Sequence, residues 1–135
     1  MGRRVVPPAD LHATLQRLFG AEAARVCVIE NSWFARLHWR AAATTRRERI
    51  YLSGGAEEFF GDTALVLHEY FHVLRQWHSG ELSVSRYLLE TFRRGYWDNR
   101  FEIAAREFAQ DNLYRFRALL AQQRAALAND ARRQV

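Results

Sequence analysis

One stretch of this chain combines apolar residues on every side of a predicted helix with three ionisable residues at its centre. We predict the helix from about Thr63 to His78, with Gly61 or Asp62 as its N-cap and Gly80 just beyond its end. Its apolar residues are Ala64, Leu65, Val66, Leu67, Tyr70, Phe71, Val73, Leu74 and Trp77. A helix that is apolar all round is a buried helix, so the rest of the fold must enclose it.

The three ionisable residues are His68, Glu69 and His72, in the pattern His-Glu-x-x-His. Residues four apart project from one helix face, so both imidazoles can bind one metal ion, with Glu69 beside them. Burying these three groups without partners would cost roughly several kcal/mol of folding free energy in total. A metal ion with one side open to solvent would satisfy all three groups. The alternative is a structural network, in which the histidines are bonded to buried carbonyls or carboxylates.

A catalytic zinc ion has three protein ligands and one open position, so a third ligand is needed. Glu102 is the first candidate, because Ala105 and Ala109 on its face of a predicted helix would allow close packing against the central helix. Glu107 is the second candidate, since Asp111 follows one turn later and could orient a histidine. Glu102 also has a purely structural interpretation, as the third residue of a capping box that begins at Asn99.

The remainder of the chain predicts an α+β fold. Three short segments, 26–29, 34–40 and 50–53, have strand-like composition and are separated by turn signals. We expect them to form a small antiparallel sheet packed on the buried helix, with one helix before the strands and further helices after residue 83. The length of 135 residues suggests a single domain, 1–124, followed by a frayed C-terminal tail, 125–135.

Composition restricts the remaining possibilities. The net charge is +5 and all basic residues are arginine, but there is no nucleic-acid-binding motif, so we expect no nucleic-acid partner. Cys27 is the single cysteine, which excludes an internal disulfide. No apolar run is long enough to span a bilayer, and residues 1–8 do not resemble a signal peptide. We therefore expect a cytoplasmic protein without a membrane partner, although non-classical export would leave no such mark.

Two segments together resemble a known protein class. H-E-Y-F-H-V-L-R-Q-W at 68–77 is followed about thirty residues later by G-Y-W-D-N-R-F-E-I-A-A-R-E-F-A at 95–109. This combination resembles the gluzincin zinc metallopeptidases, and is most similar to compact bacterial domains, some of which occur in toxins or in contractile injection systems. The resemblance covers roughly residues 50–109. It implies a minimal zincin-like fold, with zinc bound by His68, His72 and Glu102.

The resemblance also implies a reaction. Glu69 would be the general base that takes a proton from zinc-activated water, which then attacks a peptide carbonyl. The donor that stabilises the resulting oxyanion would come from Tyr87, Tyr96 or His78. The substrate would be a peptide or protein, paired with an edge strand at 49–53.

Two other functions stay open at this stage. One is a non-catalytic effector or interaction module whose zinc is structural, although such a site has no need of Glu69. The weaker one is a basic nucleic-acid-binding domain, which rests on net charge alone. The chain is small for a protease, which favours a minimal peptidase, a domain of a larger protein, or a domain that acts with a partner or within a larger assembly.

Overall fold

The protein has an α+β fold, as the sequence predicts, in which helices predominate. The structure, a computed structural model, describes residues 2–33, 35 and 43–134. The strands are β1 (Arg3–Val5), β2 (Cys27–Glu30), β3 (Ala43–Arg46) and β4 (Arg49–Leu52). The helices are α1 (Ala9–Phe19), α2 (Ala56–Gly61), α3 (Thr63–Phe71), α4 (Val84–Arg94) and α5 (Arg100–Arg133), and a short 3₁₀ turn covers Ala21–Arg25.

The described strands form one mixed sheet in the order β1-β2-β4-β3. β1 pairs antiparallel with β2 and β3 pairs antiparallel with β4, but β2 and β4 are parallel. The expectation of an antiparallel sheet of about three strands is therefore wrong. In the β3–β4 hairpin, β3 takes the outer position. β4 therefore lies beside β2 and runs in the same direction as β2. The predicted strand at 34–40 lies outside the described residues.

The pairing also corrects the position of the predicted edge strand. The segment 49–53 contains β4, whose two sides are occupied by β2 and β3. Within the part of the chain that the structure describes, the outer strands are β1 and β3.

β1 belongs to the sheet although its sequence, Arg-Arg-Val, shows no strand pattern. Arg3 forms an ion pair with Glu30 at the end of β2. The other carboxylate oxygen of Glu30 accepts a hydrogen bond of 2.8 Å from the backbone N–H of Ala56. Glu30 thus connects the outer strand β1 to the first turn of α2, where a carboxylate is also favoured by the helix dipole.

One hydrophobic core joins the sheet to the helices. Val28, Ile50 and Leu52 point from β2 and β4 into this core, and they are almost fully buried. The core also contains Leu15 and Phe19 of α1, Val66, Leu67 and Tyr70 of α3, and Phe116 and Leu120 of α5. Val73 and Leu74 beyond α3 are buried as well, whereas Ala64, Leu65, Phe71 and Trp77 of the central helix are only partly buried.

The central helix begins and ends close to the predicted positions. Asp62 is its N-cap, with the carboxylate accepting a hydrogen bond of 3.1 Å from the backbone N–H of Leu65. After Phe71 the helix continues as a π-helical turn, His72–Trp77, in which the N–H of His78 donates to the carbonyl of Val73 at 3.0 Å. π-helical turns of this kind occur often at functional sites.

The C-terminal helix packs along the central helix and is longer than expected. Asn99 is the N-cap of α5, with Oδ1 accepting from the N–H of Phe101 at 2.9 Å. The helix extends to Arg133, and its turns after Arg124 are exposed. No helix in the described ranges has both the length and the apolar character needed to cross a bilayer.

Candidate metal centre

Three side-chain atoms from two helices converge at one point. Nε2 of His68 lies 2.9 Å from Oε2 of Glu102 and 3.1 Å from Nε2 of His72. Nε2 of His72 lies 3.2 Å from the same oxygen of Glu102. His72 and Glu102 are buried and His68 is partly buried. This group of two imidazoles and one carboxylate can hold a metal ion.

The local sequence explains why these residues meet. His68 and His72 are four residues apart on one face of the central helix, whose α-helical hydrogen bonding extends to the N–H of His72. Glu102 lies in the first turn of α5, which packs closely along α3. Ala105 and Ala109 are both buried, as expected if small side chains permit this close approach.

The structure separates the two candidates for the third ligand. Glu102 faces the histidines, whereas Glu107 is exposed on the surface of α5 and is not part of the cluster. The capping-box interpretation of Glu102 does not hold either. Asn99 caps the helix with its own side chain, and the N–H of Asn99 donates to the carbonyl of Tyr96 instead of to Glu102.

Gln76 fixes which nitrogen of His72 faces the cluster. The side-chain amide of Gln76 donates to the carbonyl of Phe101 at 2.9 Å, so its Oε1 must point the other way, toward Nδ1 of His72 at 2.5 Å. A carbonyl oxygen only accepts, and therefore Nδ1 of His72 carries a proton and donates it to Gln76. Nε2 of a neutral His72 is then left with its lone pair directed at His68 and Glu102.

This tautomer makes the cluster a place for a donor or a cation. Nε2 of a neutral His72 and Oε2 of Glu102 are both acceptors, so what joins them is the Nε2–H of His68, a proton on His72, or a metal ion. Burial alone would raise the pKa of Glu102, but hydrogen bonds and charges from His68 and His72 outweigh it and lower the pKa far below its usual range. Burial alone would lower the pKa of His72. The hydrogen bond to Glu102 and the negative charges of Glu69 and Glu102 outweigh burial, so the pKa of His72 is raised.

Glu69 is a buried carboxylate next to the cluster. Burial raises the pKa of Glu69, an effect that the charges of His72 and His68 oppose. Its carboxylate forms no hydrogen bond or ion pair with the residues that the structure describes. Glu69 therefore differs from Glu102, whose oxygens are both engaged, and it is available to accept a proton.

Two tyrosines face the carboxylate of Glu102 from the segment before α5. The hydroxyl of Tyr87 donates to Oε1 of Glu102 at 2.9 Å, which leaves Oε2 for the histidines. The pKa of Tyr87 is raised by burial and by Glu102. Burial, and to a smaller extent the negative charge of Glu102, raise the pKa of Tyr96 to about 12. The Tyr96 side chain is nevertheless half exposed. His78, the third candidate donor, instead faces Glu22, with Nε2 3.4 Å from the carboxylate.

Two roles are visible only in three dimensions. No sequence motif assigns a role to Gln76, although its position four residues after His72 is a signal that indicates a partner for that imidazole. Asn99 is fully buried and, besides capping α5, donates to Oγ1 of Thr91 at 2.9 Å. It thereby joins α4 to the helix that carries Glu102.

In comparisons with known proteins, no family model matches the chain, and no curated protein or solved structure shows significant similarity to it.

Proposed function

We propose that this protein is a zinc-dependent metallopeptidase that hydrolyses peptide bonds with Glu69 as general base. The observation that carries the proposal is the convergence of Nε2 of His68, Nε2 of His72 and Oε2 of Glu102, with separations of 2.9–3.2 Å. A fourth residue, Glu69, lies beside them with a carboxylate that none of the described residues engages.

The donor set fits zinc. Two neutral imidazoles and one carboxylate are a common ligand set of catalytic zinc, which keeps its fourth position open. Ligand atoms about 2.0–2.1 Å from a tetrahedral ion are roughly 3.3–3.4 Å apart, so the three atoms need to move outward only slightly to accept one. The hydrogen bond from His72 to Gln76 supplies the second contact that a metal-binding histidine usually makes.

The catalytic role of each group follows from its surroundings. Zinc would supply a Lewis acid that polarises the substrate carbonyl and makes water easier to deprotonate. Glu69 takes the proton from the attacking water and returns it to the departing amine nitrogen. Because burial raises the pKa of Glu69, its protonated form is more accessible near neutral pH than that of an ordinary glutamate, which suits a group that must both accept and release a proton.

The two tyrosines serve different purposes in this proposal. Tyr87 holds Oε1 of Glu102 and so keeps the carboxylate turned toward the histidines. Tyr96 is the more exposed of the two, and its high pKa keeps the hydroxyl protonated. It is therefore the better candidate to donate a hydrogen bond to the oxygen on which charge develops during attack.

The outer strand β3 is the proposed place for the substrate backbone. The indole N–H of Trp77 donates to Oγ1 of Thr45 at 3.2 Å, which attaches β3 to the end of the central helix. A peptide that added to β3 by backbone hydrogen bonds would be held near the histidines with little selection by side chains.

The experiment compares zinc-loaded wild type with Glu69→Gln. Both proteins are incubated with a mixture of synthetic peptides, and the products are identified by mass spectrometry. Wild type should cleave, a chelator should stop cleavage, and added zinc should restore it. Glu69→Gln should bind zinc as tightly as wild type and cleave nothing.

Each other outcome has a definite meaning. Equal cleavage by both proteins would remove Glu69 from its role. Zinc binding without cleavage of any peptide would favour the alternative, a non-catalytic zinc-binding module. Failure of both proteins to bind zinc would contradict the proposal altogether.

A further inference from the structure

The side chains that helix α4 presents to the protein are polar, and its apolar side chains face solvent together with its arginines. Its inward residues are Tyr87, Glu90 and Thr91, which are buried or partly buried. Tyr87 donates to Glu102, Thr91 accepts from Asn99, and Glu90 accepts from the backbone N–H of Arg100 at 3.3 Å. The helix is thus attached by hydrogen bonds instead of by a hydrophobic face, the reverse of an ordinary surface helix.

The outward side of α4 and the turn that follows it form a continuous apolar surface. We call this the α4 surface; it consists of Val84, Leu88, Leu89, Phe92, Tyr96 and Trp97. Phe92 is 90% exposed, Trp97 70% and Leu88 61%. Val84, Leu88 and Phe92 follow one another at four-residue intervals and so form a ridge along the helix. A contiguous group of exposed apolar side chains of this size is typical of a surface that binds another molecule.

The charges around the α4 surface are mostly positive. Five arginines lie in or beside it: Arg86, Arg93, Arg94, Arg100 and Arg106. Glu90 is already shared between Arg94 and Arg100, at 3.4 and 3.9 Å. Asp98 is the other carboxylate of this segment outside the metal centre. A partner of opposite charge is therefore favoured, and a second copy of the chain would bring arginines against arginines.

We propose that the α4 surface binds an anionic lipid bilayer. Leucine, phenylalanine and tryptophan on one side, with arginines along the margins, is the composition of helices that lie in the membrane interface. The ridge of Val84, Leu88 and Phe92 is followed by the exposed aromatic side chains of Tyr96 and Trp97, and indole and phenol rings favour the headgroup region. Arginine side chains at its margins can reach lipid phosphates while their methylene groups stay on apolar surface.

This differs from the sequence-based expectation that the chain has no membrane partner. That expectation rested on the lack of a spanning segment, and an interfacial helix needs none. The inference also does not depend on the proposed function, because it rests on exposed apolar and arginine side chains, of which Tyr96 alone has a part in the proposed reaction. A bilayer-bound peptidase would nevertheless meet its substrates at the membrane surface.

The test is sedimentation of the full chain with lipid vesicles. Wild type should bind vesicles made of equal parts phosphatidylcholine and phosphatidylglycerol, bind pure phosphatidylcholine much more weakly, and be released by salt. The double variant Leu88→Ser with Phe92→Ser should lose about tenfold or more in vesicle affinity, because both side chains insert into the interface. Both residues are exposed, so folding should be unchanged, which circular dichroism verifies.

The matched control replaces two exposed apolar residues elsewhere, Tyr114→Ser with Leu127→Ser, and should bind as wild type does. If the Leu88/Phe92 variant bound the mixed vesicles as tightly as wild type, attraction would come from the net charge of +5 alone and the proposal would fail. No binding to either vesicle would overturn it too. A wild-type dimer in solution that the Leu88/Phe92 variant abolishes would assign the surface to a second copy instead.

Discussion

Gln76 is bonded at both ends of its amide: Oε1 accepts the Nδ1 proton of His72, and Nε2 donates to the carbonyl of Phe101, one residue before Glu102. A single side chain therefore sets the tautomer of one imidazole and connects its helix to the backbone beside the carboxylate of the cluster. The residue lies in the π-helical turn that follows His72 and is almost completely buried.

Replacing Gln76 by Leu should weaken zinc binding about 10- to 100-fold, the usual effect of removing the partner of a metal-binding histidine. The same change leaves the carbonyl of Phe101 without its donor and should cost roughly 1–3 kcal/mol of unfolding free energy. Zinc affinity is measured by competition with a chromogenic chelator, and stability by urea denaturation. Gln110→Leu, at an exposed position of α5, is the control and should change neither quantity appreciably.

Glu102→Ala and Glu107→Ala should differ sharply in zinc retention. Glu102 contributes one of the three converging atoms, so its removal should let zinc be lost during dialysis against a weak chelator. Glu107 is exposed outside the cluster, and its removal should leave zinc in place. Metal content by plasma mass spectrometry distinguishes the two variants. Retention of zinc by Glu102→Ala together with its loss from Glu107→Ala would reverse the assignment of the third ligand.

Tyr87→Phe should weaken zinc binding about tenfold, because the hydroxyl that holds Oε1 of Glu102 is removed while the ring remains. The apparent zinc affinity, measured by the same chelator competition, is the readout. Tyr114→Phe removes a hydroxyl from a ring that is exposed far along α5, and its affinity should equal that of wild type. An unchanged affinity in Tyr87→Phe would mean that packing alone positions Glu102.

The acid sensitivity of the fold should depend in part on Glu30. The hydrogen bond from Ala56 and the contact with Arg3 lower the pKa of Glu30 below its ordinary value of 4.5. A carboxyl with a lowered pKa in the folded state stabilises the protein above that ordinary value, and the contribution is lost as the pH falls through the folded-state pKa.

Glu30→Gln should accordingly be less stable than wild type at neutral pH, and the difference should shrink as the pH falls below 4.5. Denaturant unfolding at a series of pH values measures it. Glu107→Gln, at an exposed carboxylate, should follow the wild-type profile throughout. A Glu30→Gln difference that persisted unchanged in acid would show that the charge of Glu30 is not its source.

The central helix and the positions of its two histidines follow from local rules. The apolar residues around His68, the cap at Asp62 and the four-residue spacing of the histidines are all properties of one helix, and each is found in the structure. Glu102 was harder to identify, because its proximity depends on how α5 packs. Two small residues on the same face, Ala105 and Ala109, indicate that α5 packs closely at Glu102. The sequence does not exclude Glu107, because its exposure depends on the three-dimensional structure.

The sheet and α4 required information that no local pattern contains. β1 has almost no apolar character, and its pairing with β2 and the contact between Arg3 and Glu30 join residues distant in sequence. The parallel pairing of β2 with β4 depends on which strand of the hairpin lies outside. The periodicity of α4 indicated a helix correctly, yet periodicity alone places its apolar side inward, and the hydrogen bonds of Tyr87 and Thr91 turn that side to solvent.

X-ray absorption at the zinc edge tests the central claim most directly, that His68, His72 and Glu102 form one three-ligand zinc site. For protein loaded with about one zinc per chain, the spectrum should show two imidazoles and light oxygen ligands at about 2.0–2.1 Å, with no sulfur. One imidazole should disappear in His72→Ala. A spectrum without imidazole scattering, or one identical in wild type and His72→Ala, would contradict the account.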